Sequence, residues 1–406
     1  MEKIVVTGMG AVTPVGIGVD TYWKNITSGV SGIDTIKSFD TSDLAVQIAG
    51  EIKNFVPSDY LPKDLIRKTD PFMQYAYIAA EEAIKQSNID IVPERTGITM
   101  GTAMSGIATT AFTQDALSGA SHKKVGPRFI PKILGNIAAA NISINYNIQG
   151  PSFTISTACS SGGDAINMAC MCIQSGKADV MIAVGAESVL CPLVIYSLAN
   201  AKALSRRNDT PKTASRPFDI TRDGFVIGEG GGALVIETEA HALARGAKIY
   251  AEIKSCGNTS DAYHVTAPHP EGRGAIACMK QALSDAKLSP SDIGYINAHG
   301  TATNKGDAVE IEAIKNIFTD KLPFVSSTKG ATGHMMGAGG ITETIACIKT
   351  IETGIIPPTI NLNEVGPECS GVDLVANTAK KAEINYAMSN AFGFGGQNSS
   401  VIVGKY

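Results

Sequence analysis

The 406-residue chain lacks the basic excess, the paired cysteines and the long apolar runs that mark several large protein classes. Its formal net charge of -4 argues against a general nucleic-acid binder, whose surplus of lysine and arginine would show. Its 8 cysteines never form a CxxC pair, so the sequence suggests neither a zinc site nor a disulfide framework. Its apolar runs are short and interrupted by glycine, asparagine or charge, which excludes a membrane-spanning helix.

The first residues also lack the pattern of a secretory signal. Met1, Glu2 and Lys3 lead directly into the strand-like run IVVTG, which is no signal peptide. With 44% hydrophobic and 18% charged residues, the chain can bury a large core, and its 42 glycines indicate tight turns and close backbone contacts. We therefore expect a reduced, soluble, cytoplasmic protein with no nucleic-acid or membrane partner.

Short β-rich runs alternate with helical stretches along the chain. The runs KIVVTG, GITMGTA, FTISTA, DVMIAVGAE and GALVIET predict strands, and apolar spacing predicts a helix from Asp70 to Gln86. The alternation restarts near Lys248, with further helices expected at 274–286 and 341–352. This pattern is typical of an α/β protein with largely buried sheets, and it suggests two similar halves, 1–247 and 248–406.

A cysteine lies at a sharp corner of the sequence SFTISTACSSGGDAI. A strand-like run ends at Cys159, and small residues including Gly162 and Gly163 precede a helical pattern. A helix N-terminus lowers the pKa of a thiol, and the thiolate is the attacking form. The backbone N–H of Cys159 could also face a developing oxyanion. The corner thus indicates a nucleophile, against the alternative of a small buried apolar residue.

Two of the six histidines follow strand-like segments in glycine-framed loops. They are His299 in YINAHGTATNKGD and His334 in SSTKGATGHMMGAGG. A single histidine at such a position is often a structural hydrogen-bonding residue. Since α/β folds place their sites at the carboxyl ends of strands, the two loops and the cysteine corner together predict one composite site.

These motifs resemble the β-ketoacyl-[acyl-carrier-protein] synthases, condensing enzymes of the thiolase fold, and most of all the elongating synthase II type. The resemblance runs from end to end and includes VTGMGAVTPVG, TACSSG, SRPFDITRDGFVIGEG, TSDAYH, NAHGTATNKGD, SSTKGATGHMMGAGG and NAFGFGG. It implies a thiolase-like α/β fold whose two halves stack as α-β-α-β-α layers with mixed sheets, in a homodimer. It implies no resident cofactor and no catalytic metal, because phosphopantetheine arrives on the acyl carrier protein, although some relatives hold a structural monovalent cation.

The resemblance also implies a role for each site residue. Cys159 would take the acyl chain from the carrier protein as a thioester. His299 and His334 would stabilise the enolate that forms as malonyl-carrier protein loses carbon dioxide, and this carbanion equivalent would attack the Cys159 thioester. Lys329 and Glu343 would form a buried ion pair that organises the His334 loop. The expected reaction is the decarboxylative condensation of fatty-acid chain elongation.

Further residues match positions that contact substrate in this family. Phe394 would gate the site and supply a backbone N–H that pairs with that of Cys159 as an oxyanion hole. The other expected substrate-binding residues are Thr301, Thr303, Met104, Phe392 and Gly393. Ala267 departs from the family, whose close relatives tend to have a hydroxyl there, and the thioether of Met104 leaves the preferred acyl length open.

An acidic carrier protein requires a basic docking surface on the enzyme. The candidates are Lys63, Arg67, Lys68, Lys123, Lys124, Arg128, Arg206 and Arg207. Scattered surface charge is the alternative for all of them.

Other members of the superfamily fit less well. A thiolase needs a second cysteine near NAFGFGGQN, an initiating synthase has asparagine where His334 stands, and a chain-length factor lacks the nucleophile. The ketosynthase subunit of an aromatic polyketide system shares all these motifs and stays open as an alternative.

A nicotinamide-dependent oxidoreductase is the alternative from another class, because VTGMGAVTPVG is close to the dinucleotide-binding motif GxGxxG. However, Thr13 replaces the third glycine, and Pro14 would disrupt the helix that this motif requires.

Overall fold

The structure is a computed structural model that describes residues 2–118 and 125–406 of the chain. Its strands, in chain order, are β1 (Ile4–Thr13), β2 (Gly16–Ile17), β3 (Asp34–Thr35), β4 (Ile48–Ala49), β5 (Thr96–Gly101), β6 (Ser152–Ile155), β7 (Val180–Glu187), β8 (Gly230–Thr238), β9 (Ala251–Ser260), β10 (Ile293–Asn297), β11 (Phe324–Ser326), β12 (Ile355–Ile356), β13 (Lys380–Lys381), β14 (Tyr386–Gly393) and β15 (Gln397–Gly404).

The helices alternate with these strands. They are α1 (Val19–Thr27), α2 (Lys63–Lys68), α3 (Pro71–Ser87), α4 (Ile107–Ser118), α5 (Phe129–Ile133), α6 (Asn136–Tyr146), α7 (Ser161–Gln174), α8 (Pro192–Asn200), α9 (Glu239–Ala244), α10 (Arg273–Ala286), α11 (Asn304–Ile317), α12 (Lys329–Thr332) and α13 (Gly339–Thr353). No helix in the described ranges combines the length and the apolar character that a bilayer crossing needs.

Two groups of five strands share one topology. The order in the first half is β6-β5-β7-β8-β1, and in the second half it is β11-β10-β14-β15-β9. In both groups the three outermost strands run parallel and the last two pairings are antiparallel. The groups join where β1 meets β9, with Ile4 opposite Ile253. The predicted α/β fold with two similar halves and mixed sheets is confirmed, while the boundary at residue 247 stays a prediction.

Helices cover and separate the two groups of strands. The outer face of the first group packs against α3, and that of the second group packs against α10, on which α11 lies. Between them, α7 and α13 contact each other and strands of both groups. This gives five layers in the order α-β-α-β-α. Because the central helices are covered on all sides, the first ten residues of α13 (339–348) are all buried.

The predicted helix from Asp70 to Gln86 forms with nearly the expected bounds. Asp70 is its N-cap, and the side chain accepts a hydrogen bond from the N–H of Phe72 at 3.0 Å. The helix packs against β1 through small residues, and a Cβ at Gly10 would lie 1.9 Å from the carbonyl oxygen of Ala79. Close helix–strand packing explains the glycines of the first motif.

The same packing removes the structural basis of the dinucleotide alternative. Gly8 and Gly10 lie inside β1, which continues to Thr13 and turns back into β2. A dinucleotide fingerprint needs its glycines in a loop that opens a helix, so that the helix N-terminus can hold the pyrophosphate. The GxG of this chain instead accommodates the backbone of α3.

A substitution at Gly10 tests this packing. Gly10→Ala should lower the free energy of unfolding by about 2 kcal/mol or more, because the new methyl group would clash with the α3 backbone. The matched control is Gly126→Ala, since a Cβ at Gly126 meets no atom within 4 Å. Denaturant unfolding of both variants measures the difference, and equal stabilities would contradict the packing argument.

Candidate active site

Cys159 lies at the corner that the sequence predicts. After β6 the chain makes a short turn at Ala158–Ser160 and enters α7 at Ser161. Ala158 has a left-handed φ of 51°, and the N–H of Thr157 donates to the Ser161 hydroxyl at 2.9 Å. This strained turn presents the partly buried sulfur at the N-terminal end of α7.

Both histidines come from the second half of the chain and face this sulfur. His299 follows β10, and His334 follows α12. Nε2 of His334 lies 3.0 Å from Sγ of Cys159, and the two imidazole centroids are 5.3 Å apart. The sulfur and one nitrogen of each ring lie within 4.8 Å of one another. The structure therefore brings the three predicted catalytic residues together.

The imidazoles are neutral near pH 7. Burial, followed by the charge of Lys329, holds the pKa of both His299 and His334 well below the usual range. Nδ1 of each ring is buried and has no hydrogen-bond partner within the described ranges. Nε2 of His334 faces the Cys159 sulfur, where a neutral ring can donate or accept a proton according to its tautomer.

The expected lowering of the Cys159 pKa is wrong. Burial raises the pKa of this thiol to about 11, and a nearby Glu187 adds to the rise. The N–H groups of Phe394 and Cys159 and the charge of Lys329 act in the opposite direction but do not outweigh the desolvation. The resting group is a thiol, and His334 at 3.0 Å is the acceptor for its proton when it reacts.

The glycine-rich loop after β14 completes the cysteine corner. The backbone N–H groups of Phe394 and Cys159 both act on the sulfur, where they oppose the rise in the pKa of the Cys159 thiol. A Cβ at Gly393 would lie 2.9 Å from the Thr157 carbonyl oxygen and 3.1 Å from the Cys159 nitrogen, so a side chain there would push the two backbones apart. The Phe394 side chain is 40% exposed at the mouth of the site, and the Phe392 ring lies 6.1 Å from that of His299.

Lys329 and Glu343 form the expected buried ion pair. Lys329 begins α12, five residues before His334, and Glu343 lies in the second turn of α13. The Lys329 carbonyl also accepts a hydrogen bond from the Ser215 hydroxyl at 2.7 Å. Because the ammonium group influences both imidazoles and is neutralised by Glu343, the pair holds the His334 loop without leaving an isolated buried charge.

A cavity of about 790 Å³ leads to the three catalytic candidates. It is lined by every predicted substrate-binding residue, namely Met104, Thr301, Thr303, Phe392 and Gly393, and also by Phe394 and Ala267. The Thr301 and Thr303 hydroxyls are 3.1 Å apart. The lining is mainly apolar towards Met104 and polar around the two threonines, which suits an acyl chain at one end and an amide-containing arm at the other.

Several residues of the site were not predicted from the sequence. Glu310, in α11, accepts the N–H groups of His299 and Gly300, both at 2.8 Å, and burial raises its pKa to about 7. The Phe225 ring packs edge-on against His334 with centroids 5.3 Å apart. Met336 lines the cavity. Two of these residues could have been found from their place in the sequence, since Glu310 follows the predicted catalytic loop of His299 and Met336 belongs to the His334 motif.

The docking candidates are dispersed. Lys63, Arg67 and Lys68 lie on α2, where Arg67 and Lys68 both pair with Asp64. Arg67 and Arg128 line a second concavity of about 440 Å³ that also contains Lys132. Arg206 is exposed, and Arg207 lies 3.5 Å from Asp223. Lys123 and Lys124 lie outside the described residues. Two lysines that were not predicted, Lys202 and Lys305, line the main cavity.

Alkylation of Cys159 tests its protonation state. Since the thiolate is the reactive form and the thiol pKa is raised to about 11, the rate should increase about tenfold per pH unit from about pH 7 to pH 10. Iodoacetamide labelling followed by peptide mass spectrometry measures this rate, with Cys159→Ser as the control for site assignment. A rate that levels off below about pH 8 would show that the helix N-terminus dominates over burial.

Known proteins match this chain throughout. The family models "Beta-ketoacyl synthase, N-terminal domain" and "Beta-ketoacyl synthase, C-terminal domain" match residues 1–242 and 250–363. The 3-oxoacyl-[acyl-carrier-protein] synthase 2 of Staphylococcus aureus strain COL is 43% identical over 410 residues, which cover 100% of this chain and 99% of the relative. The 3-oxoacyl-[acyl-carrier-protein] synthase 2 of Vibrio harveyi is 42% identical, with the same coverage of both chains. A β-ketoacyl synthase structure from Burkholderia phymatum superposes with a TM-score of 0.93 at 34% identity, over 100% of both chains. The chain therefore belongs to the β-ketoacyl synthase family.

Proposed function

We propose that this enzyme catalyses the decarboxylative Claisen condensation of an acyl thioester, held on Cys159, with malonyl-[acyl-carrier protein]. The products are β-ketoacyl-[acyl-carrier protein] and carbon dioxide, in fatty-acid chain elongation. The observation that carries the proposal is a nucleophilic sulfur 3.0 Å from a neutral imidazole, beside a second imidazole at the end of a 790 Å³ cavity. The full-length relatives named 3-oxoacyl-[acyl-carrier-protein] synthase 2 support it.

Acyl transfer comes first. As the Cys159 proton passes to Nε2 of His334, the sulfur attacks the acyl carbonyl of the carrier thioester. The N–H groups of Cys159 and Phe394 hold the oxyanion, since both already interact with the sulfur. The carbonyl then re-forms, the bond to the carrier sulfur breaks, and the carrier leaves as a thiol with the proton from His334.

Condensation follows on the second substrate. His299 and His334, both neutral, donate hydrogen bonds to the thioester carbonyl of malonyl-carrier protein. The bond to the carboxylate breaks, carbon dioxide leaves, and its electron pair forms the enolate that these donors stabilise. The enolate carbon attacks the acyl carbonyl on Cys159, and the new carbon–carbon bond forms. The tetrahedral intermediate then collapses, the carbon–sulfur bond breaks, and the released thiolate takes up one proton from solvent.

A polyketide ketosynthase is the second candidate. The structures of an ishigamide ketosynthase/chain length factor and of a type II polyketide synthase carrier protein with its ketosynthase superpose with TM-scores of 0.92 and 0.90. Their identities of 32% and 31% lie below the 42–43% shared with the synthase 2 relatives, which favours fatty-acid elongation. Activity of this chain without a second subunit would separate the two candidates.

We propose a homodimer, supported by an exposed apolar surface around β6. This strand pairs with β5 on one side only within the described ranges, so its other edge is available for pairing with a second copy. Exposed apolar side chains surround this edge. They are Ile130, Leu134, Ile144 at 80% exposure, and Phe153. A second copy of the chain would cover them and continue the sheet.

The remaining expectations are also proposals. Phosphopantetheine would come with the carrier protein, and Thr301 and Thr303, which line the cavity, would bind its arm. A structural monovalent cation needs buried oxygen ligands, and Asn297 would hold it, because its side-chain oxygen is buried without a partner within the described ranges. No step of the proposed reaction uses this cation.

The eight cysteines are free thiols, which supports a cytoplasmic location.

Acyl loading tests the function directly. Acyl-carrier protein should place an acyl group on Cys159, visible by mass spectrometry, and malonyl-carrier protein should consume it into β-ketoacyl product. His299→Ala should keep most of the loading but slow condensation by about 10²–10³, because one donor to the enolate is lost. Cys159→Ser is the matched control for loading. An enzyme that never acquires the acyl group contradicts the proposal.

Charge reversal at the cavity mouth tests carrier docking. Lys202→Glu with Lys305→Glu should raise the KM for acyl-carrier protein about tenfold at low salt and change kcat little, since both residues line the cavity that receives the arm. Lys177→Glu, an exposed lysine that lines neither cavity, is the control. The same measurement on Arg206→Glu with Arg207→Glu shows whether those predicted residues contribute. An unchanged KM in the first variant would place docking elsewhere.

A further inference from the structure

Glu187 is a fully buried carboxylate next to the active site, and no reaction step above uses it. It is the last residue of β7, and no cation pairs with it in the part of the chain that the structure describes. Its Oε1 accepts the Thr102 hydroxyl at 3.0 Å and the Met104 N–H at 3.1 Å. Its Oε2 accepts the Ala103 N–H at 2.6 Å and the Gly337 N–H at 3.1 Å.

The four hydrogen bonds join two separate segments of the cavity wall. The first segment runs from β5 into α4 and carries Met104, which lines the cavity. The second follows His334 and carries Met336, which lines the same cavity. Space at the junction is minimal, because a Cβ on Gly337 would lie 2.8 Å from Oε2 of Glu187. One carboxylate therefore fixes the distance between these two parts of the wall.

A neutral side chain could not replace this arrangement. Three of the four donors are backbone N–H groups, and a carboxylate offers enough lone pairs for all of them. An amide at this position has one acceptor oxygen, and its NH₂ group would face an N–H donor. A buried N–H without an acceptor is unfavourable, so the two segments would separate or repack.

This junction lies beside the apolar end of the cavity, where the acyl chain would bind. Met104 and Met336 belong to or pack against the apolar cluster that also includes Cys159, Leu198 and Phe225. A short acyl group on Cys159 ends close to the sulfur, whereas a long one must extend along this apolar wall. A wall that is fixed through its backbone can discriminate between chain lengths by side-chain movement alone.

We propose that Glu187 is a positioning residue that clamps the Met104 segment to the Met336 turn and thereby sets which acyl chain lengths load onto Cys159. The inference rests on the proposed function, because it requires that the cavity receives an acyl chain. Glu187 contacts no reacting atom in this proposal. It acts through the backbone of residues 102–104 and of Gly337.

The test compares loading of short and long chains in Glu187→Gln. The rate of adduct formation on Cys159 is measured by mass spectrometry with butyryl- and tetradecanoyl-carrier protein. We expect the ratio of long-chain to short-chain rates to fall about tenfold, since unsatisfied N–H groups displace the wall. Glu82→Gln is the matched control, because Glu82 likewise accepts backbone N–H groups, from Ala11 and Val19, and does not line the cavity.

A second variant covers the case in which Glu187→Gln does not fold. Thr102→Val removes the hydroxyl donor to Oε1 together with the acceptor of the Ser105 N–H at 3.2 Å, and it should shift the same ratio by about threefold in the same direction. A merely structural role would lower both rates by one factor, so an unchanged ratio in the folded variants overturns the inference. Failure of the wild-type enzyme to load any chain would instead overturn the proposed function.

Discussion

The contact between Cys159 and His334 depends on how closely two central helices approach. The N-terminal ends of α7 and α13 meet backbone to backbone, since a Cβ on Gly340 would lie 2.4 Å from the nitrogen of Gly163. A Cβ on Gly162 would likewise lie 2.7 Å from the carbonyl oxygen of Gly337. Any side chain at these glycines would separate the cysteine corner in one half from the histidine turn in the other.

Burial shifts the pKa values of the titratable groups in the site towards their neutral forms. It raises the pKa of Cys159 and of the carboxyl groups Glu187 and Glu310, and it lowers the pKa of both imidazoles. The resting site therefore holds a thiol and two neutral rings, with Lys329 and Glu343 paired beside them. The charges of the oxyanion and the enolate appear only during reaction, where N–H groups are already in place to receive them.

Much of the fold could be predicted because the local patterns agree with the tertiary structure. The helix expected at Asp70 to Gln86 forms at Pro71–Ser87, and the strand–corner–helix pattern at Cys159 is present. The thiol pKa could not be predicted correctly, because the sequence indicates the helix N-terminus but not the desolvation that outweighs it. The docking residues stay a prediction, since surface charges far apart in sequence meet only after folding.

Local sequence alone determined the alternation of strands and helices, the corner at Cys159 and the two histidine loops, because these depend on neighbours within a few residues. Only the tertiary structure decided that Glu310 orients His299, that Glu187 joins two cavity walls, and that Lys202 and Lys305 line the cavity. These contacts join segments distant along the chain, from 11 to 150 residues apart for the two carboxylates. These hydrogen bonds are strengthened by burial, and a local sequence pattern does not show how deeply a residue will be buried.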